Sequence, residues 1–106
     1  MAKNSLDALV YPHQKCLVLP IGATFQKDRN GVVAALTGFP AIEVPGGFST
    51  PTADAPLGVP VGIEFLGRAW DEPKLIKLAF GFEQATHLRK PPASTPTLPA
   101  SQIVKP

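Results

Sequence analysis

The residue types that most often carry catalysis are sparse in this sequence. It contains two histidines, His13 and His87. A serine nucleophile needs a positioned base within hydrogen-bond reach, and only these two residues could serve as an imidazole base. His13 follows a predicted strand and a proline, whereas His87 lies at the end of a predicted helix, where the helix dipole favours a surface cation. The residues alone therefore predict no catalytic triad.

The sequence also lacks a pattern typical of a metal or phosphate site. Its acid pair, Asp71 and Glu72, is better placed to open a helix than to bind a metal. The Pro-Gly-Gly-Phe segment 45–48 leads into a proline-rich loop, which favours a turn or bulge over a phosphate-binding loop. Cys16 is the sole cysteine, which excludes an internal disulfide, and we predict that it is a small buried apolar residue. We expect no metal and no cofactor.

Composition limits the class of protein. The chain has 106 residues, of which 44% are apolar and 17% charged, with a net charge of +2. This length allows at most one domain, and the apolar fraction is too high for a disordered chain. No basic block indicates a nucleic-acid partner, and no apolar run is long enough for a membrane span or a signal peptide. We expect a cytoplasmic protein.

Four short apolar segments bounded by proline or glycine predict strands. In the last of them, Val61–Leu66, the residues alternate, so Glu64 and its even-numbered neighbours lie on the face opposite Ile63. We expect the last two segments to have partner strands on both sides. The segments are Leu6–Tyr11, the weaker Cys16–Leu19, Ala41–Val44 and Val61–Leu66.

Two helices are predicted. A short one covers 32–36, with the Asn30 side chain available to cap it. A longer one runs from about Glu72 to Leu88, with Asp71 as N-cap and Pro73 in the first turn. Its core-facing stripe is Leu75, Leu78, Ala79, Phe82 and Ala85, and Ile76 and Phe80 widen it, which predicts burial over much of the helix.

Several of these segments together resemble a known family. In order and spacing they are similar to the C-terminal part of the amidase signature family, and the resemblance covers about residues 6–92. The matching segments are Leu6–Pro12 (LDALVYP), Ala35–Phe48 (ALTGFPAIEVPGGF), Gly58–Arg68 (GVPVGIEFLGR), and Trp70–Leu75 (WDEPKL) running into Leu78–Thr86 (LAFGFEQAT).

The resemblance implies an α/β fold class, namely a C-terminal fragment of the amidase signature α/β/α fold. Such a fragment would consist of mixed-sheet strands and a covering C-terminal helix. Residues 1–92 would form the partial amidase-family domain, and residues 93–106 would form a proline-rich flexible tail. Family members hydrolyse or transfer carboxamides, which makes this activity the first to weigh for the present chain.

The family's chemistry uses a serine nucleophile and a lysine base that acts through a second serine in a cis peptide, with backbone amides as the oxyanion hole. The 106 residues contain no Ser-Ser pair and no Gly/Ser-rich run, and their lysines lie in other contexts. The resemblance therefore transfers no catalytic residue. It implies that these residues are a scaffold portion, so whether they form an enzyme by themselves is left open.

The resemblance does suggest three residues that could line a substrate pocket, namely Asp28, Asn30 and Thr37. The alternative for Asn30 is the helix cap described above, and the alternative for Asp28 is a solvated loop carboxylate. The sequence also departs from the family, with His13, Val32 and Glu43 at positions where Thr, Arg and an apolar or Thr residue are usual. Glu43 in a central strand would be a buried charge.

Three functions remain open. The chain could be a truncated or split amidase-family polypeptide without activity of its own, acting on a small carboxamide only within a complete enzyme. It could be an interaction subunit that completes a separately encoded N-terminal amidase part by adding strands edge to edge. It could also be a small binding module that uses a wall around Thr37, Phe39 and Trp70. In each case we expect neither a nucleic-acid nor a membrane partner.

Overall fold

A computed structural model describes residues 1–95 and 97–99 of the chain. The remaining residues of the predicted tail, 96 and 100–106, lie outside the described part, so its flexibility stays a prediction. Within that part, no helix has the length and apolar character needed to cross a bilayer. After a 3₁₀ turn at Ala2–Asn4, the elements are β1 (Leu9–Pro12), α1 (Val32–Thr37), β2 (Ala41–Phe48), β3 (Pro60–Leu66) and α2 (Glu72–Thr86).

The three strands form one antiparallel sheet in the order β1-β3-β2. The α/β class with a covering helix is confirmed, but the described strands are antiparallel and not mixed. β3 has partners on both sides, as expected. The prediction that β2 has two partners was wrong for the described residues, because β2 lies at the edge. The predicted strand at Cys16–Leu19 is absent, since these residues are not in a strand.

A β-bulge lies in the middle of β2. Pro45 pairs with Gly62 and Gly47 pairs with Val61, which leaves Gly46 as the extra residue. A side chain at Gly46 would not fit, because its Cβ would lie 2.5 Å from Cγ1 of Ile63. The predicted turn or bulge at the glycine pair is therefore a bulge, and the strand continues through it to Phe48 instead of ending at Val44.

The hydrophobic core lies between α2 and one face of the sheet. Leu75 and Ala79 of α2 are buried against Val44 and Phe65 of the strands. Phe82 extends this contact, with its ring meeting that of Phe65 edge to face at a centroid distance of 5.8 Å. Ile42, Ile63 and Leu78 pack around the same core. The alternation predicted for β3 is confirmed, because Ile63 and Phe65 share this face.

The outer side of α2 differs from the prediction. Ile76 and Phe80 are 60% and 62% exposed, and Ala85 is also exposed. The helix is therefore buried along a stripe and not over much of its girth. Its start agrees better with the sequence, because Asp71 is the N-cap residue, although its side chain makes no capping bond, and Pro73 lies in the first turn.

Two glycines should respond to alanine in opposite directions. Gly58 has φ +77°, and an added Cβ would lie 2.4 Å from the backbone oxygen of Ser49. Gly81 lies within α2, where an added Cβ meets nothing within 4 Å. We expect Gly58→Ala to destabilise the fold by about 1–3 kcal/mol and Gly81→Ala to stabilise it by roughly 0.5–1 kcal/mol.

Urea unfolding followed by far-UV circular dichroism measures both changes. Shifts of the same sign would contradict the backbone geometry described for the loop that ends at Gly58.

Candidate functional site

A row of polar side chains crosses the sheet on the face opposite α2. Tyr11 of β1 and Glu43 of β2 are both paired in register with Glu64 of β3. Side chains of directly paired residues project from the same face of a sheet. The three neighbouring strands therefore place a phenol and two carboxylates side by side.

Glu64 is the buried member of this row, at 4% exposure. Its carboxylate has two partners. The Tyr11 hydroxyl donates to Oε1 at 2.5 Å, and Nδ1 of His13 lies 2.6 Å from Oε2. Burying a carboxylate without partners is costly, and charge-assisted hydrogen bonds offset that cost. Tyr11 and His13 are thus what allows a carboxylate in the central strand.

His13 also approaches the second carboxylate. Its Nδ1 lies 3.7 Å from Oε2 of Glu43, whose side chain is about half exposed. Like charges directly opposite each other destabilise a sheet, so a protonated His13 between Glu43 and Glu64 is favourable. The expectation that Glu43 is a buried charge was wrong, because β2 is an edge strand. The buried charge is Glu64, which the sequence analysis placed on a face without assigning it a role.

The Tyr11 phenol is affected by this surrounding. Burial raises its pKa well above the ordinary value of 10.0, and the hydrogen bond to Glu64 and the charge of that carboxylate raise it further. All these effects favour the neutral phenol, which is the form that donates to Glu64. The contact between Tyr11 and Glu64 is therefore maintained across the neutral pH range.

The backbone of His13 fixes the start of α1. Its carbonyl oxygen accepts the amide protons of Asn30 and Gly31, at 2.9 and 3.2 Å. The Asn30 side chain donates to the carbonyl of Pro12 at 2.8 Å. Asn30 therefore does not cap the helix. Gly31 is the N-cap residue, without a side-chain bond, so the capping alternative was wrong.

The three residues proposed for a pocket are not joined into one site. Asp28 has φ +57°, and its carboxylate lies 3.6 Å from the exposed thiol of Cys16. The hydroxyl of Thr37 donates to the carbonyl of Val33 within α1. No hydrogen bond in residues 1–95 and 97–99 links Asp28, Asn30 and Thr37 to one another. Their role in a pocket stays a prediction, whereas the expectation of a buried Cys16 was wrong.

A cavity of about 260 Å³ opens beside the cluster. His13, Glu43 and Gly62 form part of its wall, together with residues 14–18 and 59–61. An imidazole oriented by a buried carboxylate can bind a polar group or hold a proton. In the described part of the chain, no group of three or more His, Cys, Asp or Glu residues is arranged to hold a metal ion. The cluster is thus a polar anchor with one oriented imidazole.

Comparison with known proteins points to one group. The chain is 38% identical over 92 residues to a probable amidase of Arabidopsis thaliana, covering 87% of the chain and 16% of that protein. It is 41% identical over 98 residues to a putative amidase of Arthroderma benhamiae, covering 84% and 14%. It is 33% identical over 109 residues to a glutamyl-tRNA(Gln) amidotransferase subunit from a Synechococcus strain, covering 95% and 20%.

The chain is similar to a portion of the amidase signature enzymes. It spans about a fifth or less of the length of these relatives, which is consistent with the C-terminal portion that the sequence motifs indicate. No protein-family model matches the chain. No solved structure matches it either.

The packing of His13 predicts different tolerances at two glycines. A Cβ at Gly31 would lie 2.2 Å from Cε1 of His13, whose ring is held by Glu64. A Cβ at Gly62 would overlap the carboxylate of Glu43, but that side chain is half exposed and can rotate into water. We expect Gly31→Ala to cost about 1–3 kcal/mol and Gly62→Ala less than about 1 kcal/mol.

The unfolding free energies of both variants can be measured with urea. If Gly62→Ala proved at least as destabilising as Gly31→Ala, His13 would not be held in the way described.

Tyr11 is the only tyrosine, so its ionisation can be followed by ultraviolet absorbance. In the folded chain the phenolate should appear only at a pH well above the ordinary value. Because the folded-state pKa is raised, the associated stability is complete below pH ~10 and is lost as the pH rises further. Glu64→Gln removes the charge but leaves the burial, so it should lower the pKa only in part.

The denatured chain in urea provides the unperturbed reference for this titration. A folded chain that titrated together with this reference would rule out the buried phenol.

Proposed function

We propose that this chain is the C-terminal scaffold portion of an amidase-type hydrolase of the cytoplasm. In this proposal it contributes strands and a covering helix to a larger domain, and the catalytic serines and lysine come from the remaining part. The chain alone does not hydrolyse carboxamides. A small carboxamide is the substrate of the completed enzyme.

One observation carries this proposal, namely the unequal coverage in the comparisons. The Arabidopsis relative matches 87% of this chain, whereas the chain accounts for only 16% of that relative. Nearly all of the chain therefore corresponds to amidase sequence, while most of an amidase has no counterpart in it. The sequence motifs are consistent with this, because these 106 residues contain no Ser-Ser pair and no Gly/Ser-rich segment.

The small core gives further support. Its buried apolar residues are Val44, Phe65, Leu66, Leu75 and Ala79. Large apolar side chains are exposed elsewhere, among them Leu36 in α1 and Phe80 in α2. Burial contributes about 25 cal/mol per Å² of apolar surface, so this exposed area is stabilisation that a larger domain would supply.

The proposal predicts that activity requires two polypeptides. We expect the purified chain to leave aryl and aliphatic amides unhydrolysed, at the rate of buffer alone. The Arabidopsis relative without its matched segment should also be inactive. Co-expression of the two should give a complex that elutes together and hydrolyses amides, with the intact relative as positive control.

Turnover by the chain alone would overturn the scaffold role. Two polypeptides that elute separately would overturn the proposed completion of an amidase domain.

A further inference from the structure

Helix α1 is apolar but buries none of its residues. Its sequence is VVAALT, without a charged side chain. Leu36 is 81% exposed, and Val32 and Val33 are also exposed, as is Phe39 just after the helix. A helix that is apolar on most sides is typical of a buried element. In this chain it faces solvent, so it lacks the surroundings for which its composition is suited.

The exposed helix is nevertheless fixed in position. At its start, Gly31 and the preceding residue bond to the His13 carbonyl, and the His13 ring is held by Glu64. At its end, Gly38 adopts the left-handed conformation, and its amide donates to the carbonyl of Ala34 at 2.9 Å. A helix of six residues is too short to be stable in water by itself. These contacts hold the apolar surface ready, which lowers the entropy lost when a partner binds.

We propose that the apolar surface formed by Val32, Val33, Leu36 and Phe39 is the docking surface for the rest of the amidase-type domain. This inference rests on the proposed function and names the place where the two parts meet. It differs from the edge-to-edge pairing of strands considered in the sequence analysis. Since the four side chains carry no charge, the surface that covers them is apolar.

The size of the surface favours this partner over a second copy of the chain. A symmetric dimer through α1 would present the same four side chains from each protomer, whereas specific interfaces involve about 20–30 residues a side. The Arabidopsis relative extends far beyond the matched segment, which covers only 16% of it. A partner of that size can cover α1 and also contact the sheet edges.

Two leucines with equal exposure provide the test. Leu36 in α1 is 81% exposed, and Leu57 in the loop between β2 and β3 is 82% exposed. Neither side chain belongs to the core, so Leu36→Lys and Leu57→Lys should both leave the circular dichroism spectrum and thermal midpoint unchanged. Lysine is chosen because a positive charge near the C-terminus of α1 is favourable to the helix dipole.

The readout is binding of each variant to the Arabidopsis relative without its matched segment, measured by co-purification and titration. We expect Leu36→Lys to weaken binding by about tenfold or more, and Leu57→Lys to bind like the unmodified chain. If the unmodified chain does not bind, the proposed function fails. If it binds and Leu36→Lys binds equally well, the docking surface is wrong while the proposed function stands.

A self-association control separates the remaining partner. Sedimentation of the unmodified chain alone should show a monomer. A dimer that dissociates in Leu36→Lys would assign the surface to a second copy and overturn the proposal.

Discussion

A carboxylate buried in the central strand is the constraint on which the arrangement of this chain depends. Glu64 can occupy β3 only because a phenol and an imidazole reach it from the neighbouring strand and from the residues that follow that strand. The same imidazole belongs to the residue whose carbonyl holds the start of α1. One buried charge thus determines the position of β1, of the loop that follows it, and of the exposed apolar helix.

The two faces of the sheet have different kinds of stabilisation. On one face α2 contributes Leu75 and Ala79 to an apolar core, which is insensitive to the details of charge. On the other face the polar row contributes specificity, because its partners must match Glu64 in position and in hydrogen-bonding type. A chain that is similar to one portion of the amidases therefore has one finished face and one that is only partly covered.

Sequence reasoning was correct where the information is local. The periodicity of α2, the alternation along β3 and the glycine pair at the bulge are each encoded within a few neighbouring residues. The errors concern properties set by distant parts of the chain. Whether Glu43 is buried depends on which strand becomes the edge, and whether Asn30 caps a helix depends on Pro12, which lies 18 residues earlier in the chain. The cluster around Glu64 was missed for the same reason.

The order of the strands has a consequence for how the chain folds. β2 and β3 are consecutive strands joined by one loop, whereas Tyr11 and His13 are separated from Glu64 by 53 and 51 positions. Closing a longer loop costs more entropy, and distant contacts form more slowly. The hairpin of β2 and β3 therefore assembles first and waits for β1. Until β1 arrives, Glu64 is solvated, and the late arrival of the N-terminal strand is the step that converts it into a buried group.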